Sequence, residues 1–401
     1  MNGGTPGRRA MGPGWVVAAA FVGPGTVTTA TLAGAGFGYA LAWALVLAVA
    51  VTFVLQEAAA RVALATGRPL AGVLLDALSP RARVAVAALL VGGIGLGNAA
   101  FQAGNLAGAS LGLGLLLPAP TWLWAVAIAD LAFLALWFGR PRWVERIMVG
   151  LVGLMGLCFL LTLTLARVDW GAALAGSLVP TMPHGAELLV VALVGTTVVP
   201  YNLFLHAALA RRRGWGPGDM GPMRRDAATG ILAGGAISLA IVLTSAATLR
   251  GASVASGADM ARQLDPLLGP LASGAFAVGL FAAGFSSAIT APLAAGYVLG
   301  QVLGGSEDER TARFRVVWAG VLLVGLLPVL AGVQAVPLIV AAQALNGLLL
   351  PLVAVLVVRA AGAADMGPLR SRGPAAAMAW ASVAVAALLG LMLLARTVLG
   401  R

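Results

Sequence analysis

Two runs of glycine, proline and hydroxyl residues are the part of this sequence best suited to chemistry. The first is Gly23-Pro24-Gly25-Thr26, and the second is Gly195-Thr196-Thr197-Val198-Val199-Pro200-Tyr201-Asn202. Both lie inside long apolar stretches, where glycine and proline interrupt a helix and leave backbone groups without partners. Freed amides favour an anion and freed carbonyls favour a cation. The two runs therefore predict a binding site for a small solute or ion.

The candidate binding residues come from these two runs and the threonine that follows the first. They are Gly23, Pro24, Gly25, Thr26, Thr29, Thr196, Thr197, Val199, Tyr201 and Asn202. Other polar residues of the apolar stretches could serve a coupling ion or a proton path: His206, Asp130, Glu57, Ser286, Ser287 and Thr290. Four amides could line a pathway: Gln102, Asn105, Gln343 and Asn346.

Most of these polar residues also have a structural interpretation. Glu57 stands four residues before Arg61, the spacing of a helical ion pair. Asp130 could be a structural partner or a proton relay, since a carboxylate inside a membrane span is a functional candidate by default. His206 could carry protons or simply pack. Hydroxyls and amides often join neighbouring membrane helices, so these alternatives stay open.

The stretches that hold these residues are suited to crossing a membrane. Of the 401 residues, 60% are hydrophobic and 10% are charged, against about 25% charged in soluble domains. About 20 apolar residues cross the hydrocarbon core as a helix. Eleven spans are predicted at 14–36, 40–62, 84–112, 121–138, 146–166, 187–209, 229–249, 270–302, 316–332, 336–358 and 375–396. The sequence therefore predicts an all-α, polytopic membrane protein with one transmembrane domain over 1–401.

The arginines predict the orientation of these spans. All 25 basic residues are arginine, and with a cytoplasmic N-terminus 20 of them fall on the cytoplasmic side and 5 on the other. This bias follows the positive-inside rule and, with an odd number of spans, places the C-terminus outside the cell membrane. It also explains the net charge of +11 by topology and attraction to anionic lipids. A nucleic-acid partner is not needed to account for the charge.

The positions of the two runs indicate an internal repeat. Each run lies in the first span of a five-span block, about 13–167 and about 186–358, and an extra helix follows at about 375–396. The first span starts inside and the sixth starts outside, so the two blocks have opposite orientations. Paired interruptions in inverted repeats point to a binding site near the middle of the bilayer.

Several motifs resemble the Nramp family of proton-coupled divalent-metal transporters, whose fold is LeuT-like. Gly23-Pro24-Gly25-Thr26 stands where that family has Asp-Pro-Gly-Asn. The run from Val199 to His206 is similar to Met-Pro-His-Asn-Leu-(Tyr/Phe)-Leu-His, and the run from Gly284 to Thr290 to Gly-Gln-Ser-Ser-Thr-Ile-Thr. Phe37-Gly38-Tyr39 and Ala65-Thr66-Gly67 also match family stretches. The resemblance covers nearly the whole chain, and implies transport by rocking of spans 1, 2, 6 and 7.

The departures from the family concern its metal ligands. The family binds metal with the Asp and Asn of the first span and the Met of the sixth, and the matching residues here are Gly23, Thr26 and Val199. The family's first sixth-span histidine and its third-span acids correspond to Tyr201, Asn105 and Gly108, whereas His206 is retained. Divalent ions prefer anionic oxygen or, for transition metals, softer ligands. The sequence therefore does not assign a metal site.

The altered site leads to a prediction of function and an alternative. The glycine-rich first break is similar to that of amino-acid transporters of the same architecture, which hold a carboxylate on backbone amides. The prediction is a secondary transporter of a small organic zwitterion, such as an amino acid, coupled to H⁺ or Na⁺. The alternative is a Mn²⁺/Mg²⁺-type transporter with a weakly coordinating site that takes a partly hydrated ion.

The remaining expectations concern catalysis and partners. No convergent set of nucleophile, base and metal indicates an enzyme, and no soluble output domain indicates a sensor. No cofactor is expected besides a coupling ion. The expected partners are the small-molecule or ion substrate and the lipid bilayer. The oligomeric state is open, and a monomer is compatible with the sequence.

Overall fold

The computed structural model describes residues 12–138, 142–303 and 308–399, without the side chains of 142–146, 148 and 397–399. Arg8, Arg9 and Arg140, which contribute to the predicted charge bias, lie outside these ranges, as do the side chains of Arg142 and Arg146. The described residues form α-helices and short 3₁₀ turns, with no strand among them. The predicted all-α architecture is therefore confirmed.

The described residues form seventeen α-helices. They are α1 (Pro13–Phe21), α2 (Pro24–Phe37), α3 (Ala42–Thr66), α4 (Leu70–Asp76), α5 (Pro80–Leu116), α6 (Thr121–Phe138), α7 (Arg142–Leu165), α8 (Trp170–Leu178), α9 (Glu187–Thr197), α10 (Pro200–Arg212), α11 (Met220–Thr248), α12 (Gly257–Ala261), α13 (Asp265–Leu268), α14 (Ala272–Val302), α15 (Ala312–Leu330), α16 (Ala335–Ala361) and α17 (Gly373–Leu399). The 3₁₀ turns are Pro217–Asp219, Arg262–Leu264, Gly269–Leu271 and Ala364–Leu369.

The number of apolar spans among the described residues is close to the predicted eleven. Nine described segments are long and apolar enough to cross a membrane, with α9 and α10 counted as one segment. The bent pair of α1 and α2 provides a tenth. The apolar part of α7, Val149–Leu165, is shorter than these segments, although α7 as a whole has 24 residues. The short helices α4, α8, α12 and α13 lie in the connections between spans.

Both predicted interruptions are present, and proline explains where they fall. Helix α2 starts at Pro24 after an extended Gly23, and its axis is bent by 54° from that of α1. Helix α10 starts at Pro200 after an extended Val199. Proline disfavours helical backbone at the residue before it and lacks an amide hydrogen, so it begins a helix without cost. The local sequence therefore sets the position of each break.

One end of the bundle gathers the loops with most arginines. At this end Arg61 donates to the Leu369 carbonyl at 3.0 Å, and Arg211 donates to the Gly67 carbonyl at 3.1 Å. An ion pair of 2.7 Å joins Arg212 to Glu309. These contacts link the loops after α3, α10, α14 and α16, which the sequence places on one side. We call this the arginine-rich end; its cytoplasmic location remains a prediction.

The opposite end is built from the other loops. The Trp43 indole donates to the Thr181 carbonyl at 2.8 Å, and the Thr181 hydroxyl donates to the Ala40 carbonyl at 2.9 Å. The amide of Gly251 donates to the Ala35 carbonyl at 2.8 Å. The loops after α2, α8 and α11 therefore meet here, as the predicted alternation of sides requires.

Two close helix contacts position the breaks against their neighbours. A methyl group built on Gly195 of α9 would lie 1.9 Å from the Gln343 carbonyl of α16. A methyl group built on Gly108 of α5 would lie 2.2 Å from Cβ of Pro24. Only glycine allows such approaches, and small residues commonly bring membrane helices together. Helices α5 and α16 are thereby held directly against the two breaks.

Candidate functional site

The two breaks meet in the interior of the bundle. The hydroxyl oxygens of Thr26 in α2 and Thr196 in α9 are 2.9 Å apart, and both side chains are buried. The Thr26 hydroxyl also donates to the Phe21 carbonyl at the end of α1. Because a hydroxyl carries one hydrogen, Thr196 is the donor in the contact with Thr26. The two predicted binding runs therefore form one site.

Two other predicted binding residues turn their hydroxyls toward their own helices. Thr29 donates to the Gly25 carbonyl at 2.8 Å, and Thr197 donates to the Leu193 carbonyl at 2.9 Å. The Thr197 carbonyl, at the end of α9, accepts from Thr52 of α3 at 3.3 Å. These hydroxyls therefore hydrogen-bond within the helix segments that border the two breaks.

Gln343 of α16 reaches the first break. A methyl group built on Gly25 would lie 2.4 Å from its Nε2 atom, and one built on Gly104 of α5 would lie 3.8 Å from the same atom. The Gln343 side chain is buried, and neither of its polar atoms has a hydrogen-bond partner among the described residues. The sequence identified Gln343 as a pathway residue, and the structure places its amide directly at the break.

Ser287 of α14 reaches the same break from another side. A methyl group built on Gly23 would lie 3.0 Å from the Ser287 hydroxyl. That hydroxyl is buried and has no partner within the described part of the chain. Ser286 and Thr290, predicted with it, are only half-buried, and Thr290 donates to the Ser286 carbonyl of its own helix at 2.8 Å. Of these three residues, only Ser287 is brought to the break.

Asn105 of α5 faces the space between the two breaks. Phe101, one turn before it, contacts the Tyr201 ring of α10 edge-on with 5.5 Å between ring centroids. Gly108, one turn after it, lies against Pro24. Residues three and four apart share a helix face, so Asn105 lies between these contacts. Its amide is buried and unpartnered among the described residues.

The break region thus contains neutral polar groups that the protein leaves unsatisfied. The Tyr201 hydroxyl and both polar atoms of Asn202 are also buried without partners in the described chain. A buried polar group without a hydrogen-bond partner costs about 1–3 kcal/mol of stability. Such groups therefore normally have a protein, water or ligand partner. A cluster of them at two helix breaks indicates a place for water or a hydrated ion.

No carboxylate belongs to this cluster. Among the described residues, no group of three or more histidine, cysteine or acidic side chains could hold a metal ion. The site therefore offers neutral oxygens: hydroxyls, amide carbonyls and the backbone carbonyls at the ends of α1 and α9. Oxygen ligands of this kind suit hard cations such as Mg²⁺, Mn²⁺ and Ca²⁺ better than soft ones.

The predicted proton-path residues are spread through the molecule. His206 of α10 is fully buried, near the Gln56 backbone of α3. Glu57 forms ion pairs with Arg61 and, at 2.8 Å, with Arg224 of α11. The helical ion-pair interpretation of Glu57 is therefore confirmed, and this carboxylate lies at the arginine-rich end away from the breaks.

Asp130 lies in a different place from the other candidates. Its side chain is exposed on the outer surface of α6. The buried face of that helix is formed by other residues: Ala125, Ile128, Ala129 and Ala132. Packing against α5, α14 and α15 uses this small apolar face, and the opposite face carries Asp130 away from the site. The structure therefore does not bring Asp130 to the breaks.

The remaining pathway candidates extend from the site toward the arginine-rich end. Gln102 of α5 donates to the Ala288 carbonyl of α14 at 3.2 Å. A methyl group built on Gly97 would lie 3.6 Å from Oδ1 of Asn346. Sequence reasoning missed two amides of this region, Asn98 and Gln56, which are buried and unpartnered among the described residues. Asn98 could have been found, since it precedes Gln102 and Asn105 by four and seven residues on one helix face.

Comparison with known proteins identifies the family. The sequence profile described as "Nramp: Natural resistance-associated macrophage protein-like" matches residues 14–396. The chain belongs to the Nramp family. The Nramp relatives include a protein named "Divalent metal cation transporter MntH" from Nostoc sp., 30% identical over 304 residues, which cover 72% of this chain and 68% of that protein. A protein of the same name from Granulibacter bethesdensis is 28% identical over 378 residues, covering 89% and 81%.

Solved structures confirm the fold. The Eremococcus coleocola manganese transporter, as its H236A mutant, superposes with a TM-score of 0.77 at 21% identity, covering 95% of this chain and 85% of that one. Mhp1, a nucleobase-cation-symport-1 family transporter, superposes with a TM-score of 0.61 at 15% identity, covering 97% and 94%. At these identities the likeness concerns the fold alone. It supports the predicted LeuT-like arrangement of this Nramp chain.

The predicted amino-acid or other zwitterionic substrate is wrong. The Nramp relatives are named divalent metal cation transporters, which contradicts that prediction and favours the alternative. The structure gives a physical reason for the error. Thr26 and Thr196 bring the two breaks into direct contact, and unpartnered hydroxyl and amide oxygens stand beside them. Replacement of the charged ligands therefore does not imply the loss of a cation, because neutral oxygens can also bind one.

Proposed function

We propose that this Nramp protein is a secondary transporter of a divalent cation of the Mg²⁺ or Mn²⁺ type. The observation that carries the proposal is the Thr26–Thr196 contact of 2.9 Å beside unpartnered amides and hydroxyls. The names of its relatives support the divalent cation as substrate. Transport, and not catalysis, is the proposed role.

The proposed site binds the ion with neutral oxygens. Thr26 and Thr196 provide hydroxyl oxygens from the two breaks, and the Gln343 amide approaches from α16. Ser287 and Asn105 complete the polar surface on the sides of α14 and α5. These groups have the hard oxygen character that Mg²⁺ and Mn²⁺ accept.

The ion is proposed to keep part of its water shell. Mg²⁺ loses water reluctantly and usually retains several water ligands in proteins. A site without a carboxylate cannot offset full dehydration, but amides such as Asn202 and Gln343 can hydrogen-bond the retained water. The absence of a thioether at Val199 removes a ligand that favours softer metals. We therefore expect weak discrimination between Mg²⁺ and Mn²⁺.

The route of the ion is proposed to run toward the arginine-rich end, which we assign to the cytoplasm. Asn98 and Asn346 lie in that direction, along the contact between α5 and α16. The excess of arginine at this end is the basis for the assignment. Coupling to H⁺ or Na⁺ remains a prediction, with His206 as the buried histidine of the helix that starts at the second break.

Uptake by purified protein in liposomes tests the proposal. Mg²⁺, Mn²⁺ and Ca²⁺ are supplied separately, and a panel of labelled amino acids is supplied in parallel, with imposed pH and Na⁺ gradients. Saturable uptake of Mg²⁺ and Mn²⁺ with similar apparent affinities is the expected result. Gln343→Leu should reduce it at least about tenfold, since removal of a ligand to a charged group costs about 1.5–3 kcal/mol.

Gln334→Leu is the matched control for this variant. Gln334 is the exposed residue that precedes α16, so its substitution should leave uptake unchanged. Accumulation of an amino acid without saturable uptake of any divalent cation would disprove the proposal. Equal loss in both glutamine variants would show that Gln343 has no specific part in binding.

A further inference from the structure

An apolar groove runs along the outer surface of the bundle between α3 and α11. It encloses about 540 Å³. Its lining residues are Leu45, Val46, Val49, Ala50, Phe53, Ala228, Ile231, Leu232, Gly235, Ala236 and Leu239. All of them are apolar, and Leu232 is 63% exposed. The groove is therefore open toward the surrounding hydrocarbon and offers no hydrogen bonds from its side chains.

The groove ends in a cluster of charges at the arginine-rich end. Glu57 follows Phe53 by one turn of α3, and Arg224 precedes Ala228 by one turn of α11. The ion pair of 2.8 Å between Glu57 and Arg224 therefore closes the groove between the two helices at this end. A ligand in the groove would have its apolar part above this ion pair and its polar part beside it.

Arg225 supplies a positive charge at the same place. It precedes Leu232 and Ala236 by seven and eleven residues, which puts it on their face of α11. Its side chain is exposed and has no ion pair or hydrogen bond to another described residue. Asp226 is engaged elsewhere, since it accepts from the Gly14 amide of α1 at 2.6 Å. Arg225 is therefore not neutralised by its neighbour in the chain.

We propose that the groove binds an anionic phospholipid, with an acyl chain between α3 and α11 and the phosphate at Arg225. Lipid tails are as apolar as the lining, and arginine matches phosphate in charge and geometry. The depth also fits, because arginines beside a membrane span lie at the level of anionic headgroups. The lipid would fix the spacing of two helices that contact the broken spans. This proposal is independent of the transported ion.

Lipid retention by the purified full-length chain tests the site. Native mass spectrometry in detergent is used to titrate phosphatidylglycerol and phosphatidylcholine of identical acyl chains. One phosphatidylglycerol should bind saturably, and more tightly than phosphatidylcholine. Arg225→Gln should weaken its binding about fivefold, the effect of one basic residue near an anionic surface, without changing the binding of phosphatidylcholine.

Three further variants separate the headgroup from the chain. Ala236→Phe fills the groove and should abolish saturable binding of both lipids. Arg372→Gln removes an exposed arginine of the same end, and Ala381→Phe enlarges an exposed alanine of α17. These last two should behave like the wild type. Equal affinity for the two lipids, or equal effects of Arg225→Gln and Arg372→Gln, would overturn the proposal.

A second copy of the chain is the competing occupant. Leu232→Cys places a thiol in the exposed wall of the groove and allows disulfide cross-linking in liposomes. Cross-linked dimers that form regardless of lipid composition would replace the lipid proposal by a protein interface. Absence of cross-linking, together with saturable phosphatidylglycerol binding, supports the lipid site.

Discussion

The contact between Thr26 and Thr196 allows a quantitative test of the site. Thr26→Val keeps the shape of the side chain and removes a hydroxyl that contacts both Phe21 and Thr196. Thr196→Val removes the other member of the pair. Loss of one neutral ligand hydroxyl should cost about 1.4 kcal/mol in ion binding, so each single variant should weaken Mn²⁺ binding about tenfold.

The double variant decides whether the hydroxyls act together. Independent ligands would give the product of the two effects, about a hundredfold loss. The 2.9 Å contact means that either single variant already disturbs the other hydroxyl. A net hydrogen bond contributes about 1 kcal/mol, so the double variant should lose only about twentyfold.

Isothermal titration of Mn²⁺ into purified protein measures the four dissociation constants of this cycle. Thr244→Val serves as the control, because the Thr244 hydroxyl is equally buried and donates to the Ala240 carbonyl of α11 at 2.7 Å. Its dissociation constant should equal that of the wild type. A hundredfold loss in the double variant, or wild-type binding in either single variant, would refute the argument that the two breaks share one ion site.

Three other predictions concern packing, selectivity and charge. Gly195→Ala should reduce the yield of folded protein in size-exclusion chromatography. Its methyl group would lie 1.9 Å from a backbone carbonyl of α16, and overpacking costs about 1–3 kcal/mol or more. The control Gly36→Ala should leave the yield unchanged, because a methyl group there would have no atom within 4 Å. Gly23→Asp combined with Val199→Met should raise the Mn²⁺/Mg²⁺ uptake ratio by adding an anionic and a soft ligand, and an unchanged ratio would show that the site lies elsewhere. Glu57→Gln should lower the thermal-unfolding midpoint more than Arg68→Gln does. Glu57 joins a largely buried Arg61 to Arg224, whereas the ion pair of Arg68 with Asp76 is exposed and contributes about 0–1 kcal/mol. Equal shifts of the midpoint in the two variants would contradict this reasoning.

The sequence by itself determined the spans and the positions of both breaks. Hydropathy over about 20 residues and the effect of proline on the preceding residue are local properties. Extended backbone at Gly23 and Val199, each followed by a proline that starts a helix, needed no tertiary information. The grouping of the arginine loops at one end followed equally from counting spans.

Only the tertiary structure decided which polar side chains reach the breaks. From the sequence, Ser286 and Ser287 are equally good candidates for the site. The packing of α14, however, turns only the Ser287 hydroxyl toward Gly23. Asp130 looked like an interior carboxylate, but α6 buries its small apolar face and turns the acid outward. The direction of a side chain depends on helix rotation against neighbours that are distant in the chain, and a local pattern does not encode that rotation. The same limit explains why the substrate prediction is wrong. The loss of metal ligands at Gly23 and Val199 is visible in the sequence. The contact that brings neutral oxygens of the two breaks together forms only when α2 and α9 pack against each other.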